Sequence, residues 1–414
     1  MRFNLIKMED ALESLIDYRG KTPKKSETGI MTLSAKSVKN NHIDYSQCYF
    51  ISEEEYKRFM VRGIPKKGDI LLTTEAPLGC VARLDRDDVA IAQRLLTLRG
   101  KKQVLDNDYL LYYLQSPIGQ ASLKARESGT TVTGIKQSEF KKIELMIPDY
   151  EAQRYISSIL RTIDKKIELN NAINNILEQQ SILLFKDWFT NFRNADKDML
   201  HTQFGVIPSS YKLMKNSDLP IVITDYVANG SFASLKANVT LYQEENYSYF
   251  IRNTDLKSGN YGVFVDKHSY EFLSKSKLFG GELIISNVGD VGSVYLCPKL
   301  NKAMTLGNNM ILLRPEQENL NYYLYIWFKW GYGKSLIQGI TGGSAQPKFN
   351  KTDFKNLLIY LPDDVLLERF HQLVKPMYKL IENNNFESQI LIDIRNSLLP
   401  KLLSGEVDVS NIKL

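Results

Sequence analysis

Residues 151–189 read EAQRYISSILRTIDKKIELNNAINNILEQQSILLFKDWF. Alternating steps of four and three residues from Ile156 give Leu160, Ile163, Ile167, Asn170, Asn174, Leu177, Ser181, Leu184 and Trp188. Seven of these ten are apolar, and Glu, Lys, Gln and Asn dominate the flanks. That pattern predicts one long amphipathic helix with a coiled-coil seam and a polar middle. Adding 214 to each number writes the seam again: Phe370, Val374, Met377, Ile381, Asn384, Ser388, Leu391, Arg395, Leu398 and Leu402. The approach to each helix also repeats, as Phe140-Lys141 and Ile147-Pro148-Asp149 return as Phe354-Lys355 and Leu361-Pro362-Asp363. A helix that cannot bury its seam alone has a second copy to pack against.

The expected architecture is α+β: two α/β modules related by a pseudo-two-fold repeat and spaced by two long antiparallel coiled-coil helices. Helices of about 40 residues, at roughly 1.5 Å each, reach on the order of 60 Å, a length suited to a ruler between two sites. The boundaries read as 1–148 for the first module, 149–193 for its helix, 194–362 for the second module, 363–405 for the second helix, and 406–414 for a tail.

Composition is that of a globular chain, with 43% apolar and 24% charged residues and a net charge of +6. The absence of an apolar run of about 18 residues excludes a membrane-spanning helix. The amino terminus lacks the apolar core of a signal peptide, so a cytoplasmic protein is expected. Cys48, Cys80 and Cys297 lie far apart and read as buried thiols. The charge permits a polyanionic partner, and its placement matters more than its sum.

In the first module, residues 10–18 read as a short helix or strand edge before the basic loop Arg19-Gly20-Lys21-Thr22-Pro23-Lys24-Lys25. Strands are expected at 70–74, 80–84, 90–98 and 143–147, and a helix at 109–120. A polar loop covers 128–137. The second module repeats the plan: Gly280-Gly281 before an apolar strand, a helix near 322–330, and a polar loop at 341–350. Its loop letters differ from those of the first module.

Catalytic signatures are missing. Gly333-Lys334-Ser335 lacks the phosphate loop's earlier glycine, because Phe328 occupies that place. His42, His201, His268 and His371 show no metal or triad spacing. Pro148-Asp149-Tyr150-Glu151 hints at a metal-nuclease motif, but Gln153 stands where its lysine would be. Neither an Asn-Pro-Pro-aromatic nor a GxSxG signature occurs.

These residues resemble the specificity subunit of type I restriction-modification enzymes, over essentially the whole chain. The resemblance rests on Leu399-Pro400-Lys401-Leu402-Leu403-Ser404-Gly405-Glu406-Val407, Leu184-Phe185-Lys186-Asp187-Trp188-Phe189 and Phe204-Gly205-Val206-Ile207-Pro208. Gly68-Asp69-Ile70-Leu71-Leu72 and the Gly129-Thr130-Thr131 loop add to it. It implies a non-catalytic DNA-binding subunit with two target-recognition domains, each reading half of a bipartite site. Two modification (methyltransferase) subunits would dock on the helices, and two restriction (endonuclease) subunits would complete the complex. Adenosylmethionine, ATP and magnesium would then reside on partners and none in this chain. Two departures are noted. The chain lacks a Gly-x-Ile-Pro opener at its start, so the tail after Gly405 is expected to pack there. Pro376 lies inside the second helix, where a kink or late start is expected.

Asn and Gln suit adenine edges, Arg and Lys suit guanine, and cations suit phosphates. The candidate DNA contacts are therefore Lys21, Lys24, Lys25, Thr73, Thr74, Glu75, Thr130, Thr131, Lys136 and Gln137 in the first module. In the second they are Lys236, Asn238, Arg252, Asn253, Ser286, Asn287, Ser344, Gln346, Lys348 and Asn350. The alternatives from other classes are a two-module scaffold that binds no DNA, and a self-contained DNA-modifying enzyme. Salt-dependent DNA binding would separate the first, and methyl transfer by the isolated chain the second.

Overall fold

The computed structural model describes residues 2–129, 133–193, 198–343 and 345–409. Two helices dominate it, Tyr150–Phe189 and Asp364–Ser404, of 40 and 41 residues. The chain divides into two compact units. One holds residues up to 170 and from 386 onward, and the other residues 171–385, so each unit owns part of both long helices.

In the first unit, β2 (Leu12–Asp17), β5 (Ile70–Thr74), β6 (Leu78–Arg83) and β8 (Leu95–Gly100) form an antiparallel sheet in the order β2-β8-β5-β6. A second sheet joins β3 (Ile30–Leu33), β4 (Tyr49–Ile51) and β7 (Val89–Ile91), with β3 and β7 parallel. β1 (Phe3–Lys7) pairs antiparallel with β9 (Glu144–Pro148). Residues 10–18 thus divide between a helix, Met8–Ala11, and β2.

Sheet, helices and the end of the second long helix share one core, in which Ile70, Tyr109, Phe140, Ile156 and Leu160 are fully buried beside Leu402 and Val409. Gly405, at φ +79°, is where the chain leaves that helix; a Cβ there would lie 2.7 Å from the Phe3 ring. The tail residue Val409 is buried in the same cluster as Met8.

The second unit repeats this plan. The hairpin β10 (Met199–Thr202) and β11 (Gly205–Pro208) opens it, and β12 (Lys212–Lys215) pairs with the last strand, Leu358–Leu361. β13 (Ile221–Asp225), β18 (Leu283–Ser286), β19 (Val294–Leu296) and β21 (Met310–Pro315) form a sheet in the order β13-β21-β18-β19. The other sheet contains β14 (Leu241–Tyr242), β15 (Ser248–Ile251), β16 (Phe264–Val265), β17 (Lys277–Leu278) and β20 (Ala303–Leu306), with β15 and β20 parallel. The last strand of the unit is β22 (Leu358–Leu361).

Side chains repeat with the strands. In the first unit the buried Asp69 carboxylate accepts two bonds from Arg99, at 2.7 Å each. In the second, Glu282 pairs with Arg314 at 3.2 Å. Asn107 donates to Gly68 O, and Asn321 to Gly281 O, at 2.7 Å each. Asp149 and Asp363 each accept the amide three residues on, 2.9 and 2.8 Å away, and so cap the long helices. The Pro-Asp motif is therefore a helix start. Gly333 likewise has a packing role, since a Cβ there would meet Trp327 and Phe328 at 2.5 and 2.7 Å.

Several expectations need correction. The strand expected at 90–98 is two, β7 and β8 in different sheets, because Arg94 turns the chain at φ +70°. The helix expected at 109–120 is broken into Asn107–Gln115 and Pro117–Lys124. Ser116 caps the second piece and Pro117 cannot continue the first. No late start occurs at Pro376, since the helix begins at Asp364. Pro376 is exposed, so water can satisfy the backbone carbonyl it frees. Cys48 and Cys80 are only half-buried; Cys297 is buried.

Within each unit the long helices run antiparallel. In the first unit Ile156 and Leu160 are fully buried, while Ile163 and Ile167 are half-buried. Arg395 reaches Asp164 at 2.8 Å, and Asp164 also accepts the Tyr112 hydroxyl at 2.6 Å. Asn170 donates to Glu387 and Ser388, at 2.9 and 3.2 Å. In the second unit Phe370 and Val374 are fully buried, and the Ser181 and Tyr378 hydroxyls lie 2.9 Å apart. Asn384 donates to Asn174 at 2.8 Å, and Asn174 to Asn385 at 2.9 Å. Asn170–Ser388 and Asn384–Asn174 are the same contact in repeat numbering, one in each unit. The remaining seam residues Leu177, Leu184, Met377, Ile381, Leu391 and Leu398 are half-buried.

Candidate nucleic-acid interface

At one end of the first unit's four-stranded sheet, three loops are held by backbone hydrogen bonds. Thr74 N donates to Arg94 O, and Ile135 N donates to Thr74 O, both at 3.0 Å. The turn after β5, the turn before β8 and the segment leading to residue 137 therefore meet. The Arg19 guanidinium joins them by donating to Ile135 O at 2.9 Å. Arg94 pairs with Glu75 at 2.8 Å. Arg19, Lys21, Arg62, Arg94 and Lys136 are exposed around this junction.

The second unit builds the same junction from other letters. Asn287 N donates to Asn309 O, and Phe349 N to Asn287 O, both at 3.1 Å. Asn309 holds φ +65° where Arg94 holds +70°. A non-glycine residue in the left-handed region is uncommon, and strain of this kind gathers at functional sites. Lys348 exchanges two backbone bonds with Gly342 at 2.9 Å, and Lys351 pairs with Asp225 at 2.9 Å.

The sequence candidates divide accordingly. Lys136, Gln137, Glu75, Asn287, Gln346, Lys348 and Asn350 lie on the junction loops. Arg252 and Asn253 follow β15, next to the 307–309 turn, because Gly307 N donates to Ile251 O. Arg252 is engaged with Asp255 at 2.6 Å. Asn350 is partly spent, accepting the Asp353 amide at 2.8 Å to cap a short helix. Lys21, Lys24 and Lys25 are exposed; the Lys24 amide and Arg58 hold the Glu55 carboxyl below its usual range, and Lys25 lies over Tyr49.

Three candidates are interior. Thr73 is fully buried, donating to Pro77 O at 2.7 Å and accepting from Cys80 N at 2.9 Å. Thr74 and Ser286 are buried too. They lie at the last residues of β5 and β18, inner strands of the two four-stranded sheets, so hydroxyls taken as base contacts are instead part of the frame. Lys236 and Asn238 stand apart on the helix Phe232–Asn238, which packs through Leu235 on a separate apolar cluster. Thr130, Thr131 and Ser344 lie outside the described residues.

The sequence reading passed over Arg62, Arg94, Asn309 and Lys351, and placed Arg19 in the basic loop without counting it among the DNA contacts. The signal for Arg94 and Asn309 was a polar residue ahead of equivalent strands in both halves. Among the described residues no group of three or more His, Cys, Asp or Glu could hold a metal ion. Nor, among the described residues, is any helix long and apolar enough to cross a membrane.

Comparison with known proteins agrees with this internal repetition. The type I restriction modification DNA specificity domain matches twice, over residues 9–179 and 225–396. A type I restriction enzyme MjaIX specificity subunit of Methanocaldococcus jannaschii is 28% identical over 379 residues, covering 87% of this chain and 82% of that protein. The HindI specificity subunit of Haemophilus influenzae is 23% identical, covering 83% and 87%. Among solved structures, the type I restriction-modification S subunit from M. genitalium has the same fold at 14% identity. Its TM-score is 0.59 and the match covers 97% of this chain and 96% of that one. Two matched copies span most of the sequence, and the chain belongs to the type I restriction-modification specificity subunit family, with two DNA-recognition domains.

Proposed function

We propose that this chain is the non-catalytic recognition subunit of a type I restriction-modification complex and reads a bipartite DNA site. The observation that carries this reading is the repeated junction. The same backbone bonds fix three loops in each unit, while the side chains displayed differ: Glu75, Arg94 and Lys136 in one, Asn309, Gln346 and Lys348 in the other. One frame with two sets of letters suits two different half-sites. Lysines would supply salt-dependent phosphate contacts, and Arg, Asn and Gln the base edges.

The long helices would dock two modification subunits. Each unit exposes large apolar side chains on them: Leu169, Phe386, Ile390 and Ile394 in the first, Ile176, Leu183, Leu373 and Leu380 in the second. Two restriction subunits would complete the complex. Adenosylmethionine, ATP and magnesium would enter on partners, in the cytoplasm where the DNA lies.

Methylation mapping in cells carrying this chain with its modification subunit tests the reading. A single motif of two short half-sites with an unread gap is expected, and Arg94→Ala should degrade one half only. A motif without a gap, or one altered in both halves, would overturn it.

A further inference from the structure

Between the helix Glu53–Phe59 and β5 the chain makes the loop Met60-Val61-Arg62-Gly63-Ile64-Pro65-Lys66-Lys67. Its two aliphatic tips are open, Val61 at 68% and Ile64 at 56% exposure. Single exposed apolar residues need no explanation, but two within four residues on an anchored loop form a feature. The anchoring is specific. The Tyr18 hydroxyl, itself buried, donates to Gly63 O at 3.0 Å and accepts from Arg62 N at 2.8 Å. Arg62 donates to Asp17 O at 2.9 Å and to Arg19 O at 3.3 Å. A Cβ on Gly63 would lie 2.9 Å from Ile16, so the turn is packed down while its tips point out.

The loop is connected to the junction by successive contacts. Arg62 touches the backbone of Asp17 and Arg19, and Arg19 bonds Ile135, which bonds Thr74. Arg62, Lys66 and Lys67 are exposed on this loop, and so is Arg19, whose carbonyl Arg62 bonds. Two acids at this margin, Asp17 and Asp87, are engaged by the backbone N–H groups of Arg19 and Lys67. An aliphatic tip with cations on the same loop complements a polyanion that also presents methyl groups. The thymine C5-methyl in the DNA major groove is such a surface.

We propose that Val61 and Ile64 form an apolar reading tip that contacts thymine methyl groups in the half-site of the first unit. This rests on the recognition-subunit reading above and names a specificity element within it. The test uses the full chain in complex with its modification subunits. The wild-type motif is mapped first, then that of Val61→Ser/Ile64→Ser. The variant should melt as the wild type does, because both side chains are exposed. Its first half-site should become degenerate at a thymine, and its affinity for the wild-type duplex should fall roughly tenfold, as expected for losing one base contact. Binding to an unrelated duplex should be unchanged. Replacing that thymine with deoxyuridine, which lacks only the methyl, should weaken the wild type and leave the variant unaffected. Val61→Ile/Ile64→Leu should retain the motif. An unchanged motif and affinity would overturn the proposal. So would loss of co-purification with the modification subunit, which would make the tip a protein contact. If the wild type methylates no bipartite motif, the underlying reading falls, and this proposal with it.

Discussion

Asp69 is 1% exposed and accepts both Arg99 bonds together with the Lys66 amide at 2.8 Å. Removing one partner of a buried ion pair leaves an uncompensated charge, which costs about 3 kcal/mol or more. Arg99→Leu should therefore lower the first unit's melting midpoint by roughly 5–10 °C. Asp69→Leu/Arg99→Leu should recover most of that loss; calorimetry of single and double variants checks both. His371 offers a pH test in the second unit. Burial holds its pKa below the ordinary 6.5, with Lys375 acting the same way and Glu318 and Glu368 opposing. The folded state thus prefers the neutral ring. Its contribution to stability is complete above pH 6.5 and declines as acid protonates the unfolded ring first. Denaturant melts from pH 7.5 to 5 should show stability falling with acid, and His371→Gln should flatten the slope. A steeper fall in the variant would contradict this.

The two long helices pair through apolar contacts near the domains and through amides in the middle. Leu160, Ile156, Phe370 and Val374 are fully buried, whereas Asn174 and Asn384 meet amide to amide. Polar residues at seam positions set register at some cost in stability. Asn174→Leu removes the acceptor of the Asn384 amide and should cost about 1 kcal/mol, given that Asn174 is half-buried. Asn174→Leu/Asn384→Leu should return to wild-type stability or above. Cysteine cross-linking across the pair should then report more than one register. A single register in the double variant would show that the apolar ends suffice to align the helices.

At the scale of the molecule, the division into units cuts the first long helix after Asn170 and the second after Asn385. Each unit therefore keeps its own stretch of helix pairing. Four residues inserted at both cuts would add about 6 Å to each helix while nearly keeping the seam phase. The expected outcome is the same two half-sites with a gap longer by about one or two base pairs. An unchanged gap in an active complex would refute the ruler. Insertion at one cut alone mismatches the pairing and should reduce assembly, read by co-purification.

The sequence by itself determined the repeat, the two long helices and the alternation of strands and turns. Those are set by local periodicity: a seam every three or four residues, and turns at Gly and Pro. The turn at Gly68-Asp69, the repeated helix entries at Asp149 and Asp363 and the apolar strand at Ile70–Thr74 were legible for the same reason, whereas the Asp69–Arg99 pair and the two aspartate caps were not. Which polar residues face outward was decided only by tertiary structure. Thr73, Thr74 and Ser286 look like surface hydroxyls in the letters. Each lies within the last two residues of an inner strand whose neighbours cover it, and strand order is a long-range fact. Arg94 reads as the middle of one strand until the chain must pass from one sheet to another, which forces its left-handed backbone. Arg19, Arg62 and Ile135 lie up to 116 residues apart and are linked only because Tyr18 and the carbonyls of Asp17, Gly63 and Ile135 draw their segments together. Local pattern fixes elements, because its physics acts within a few residues. The junction arises from hydrogen bonds between distant segments, and no window of sequence contains them.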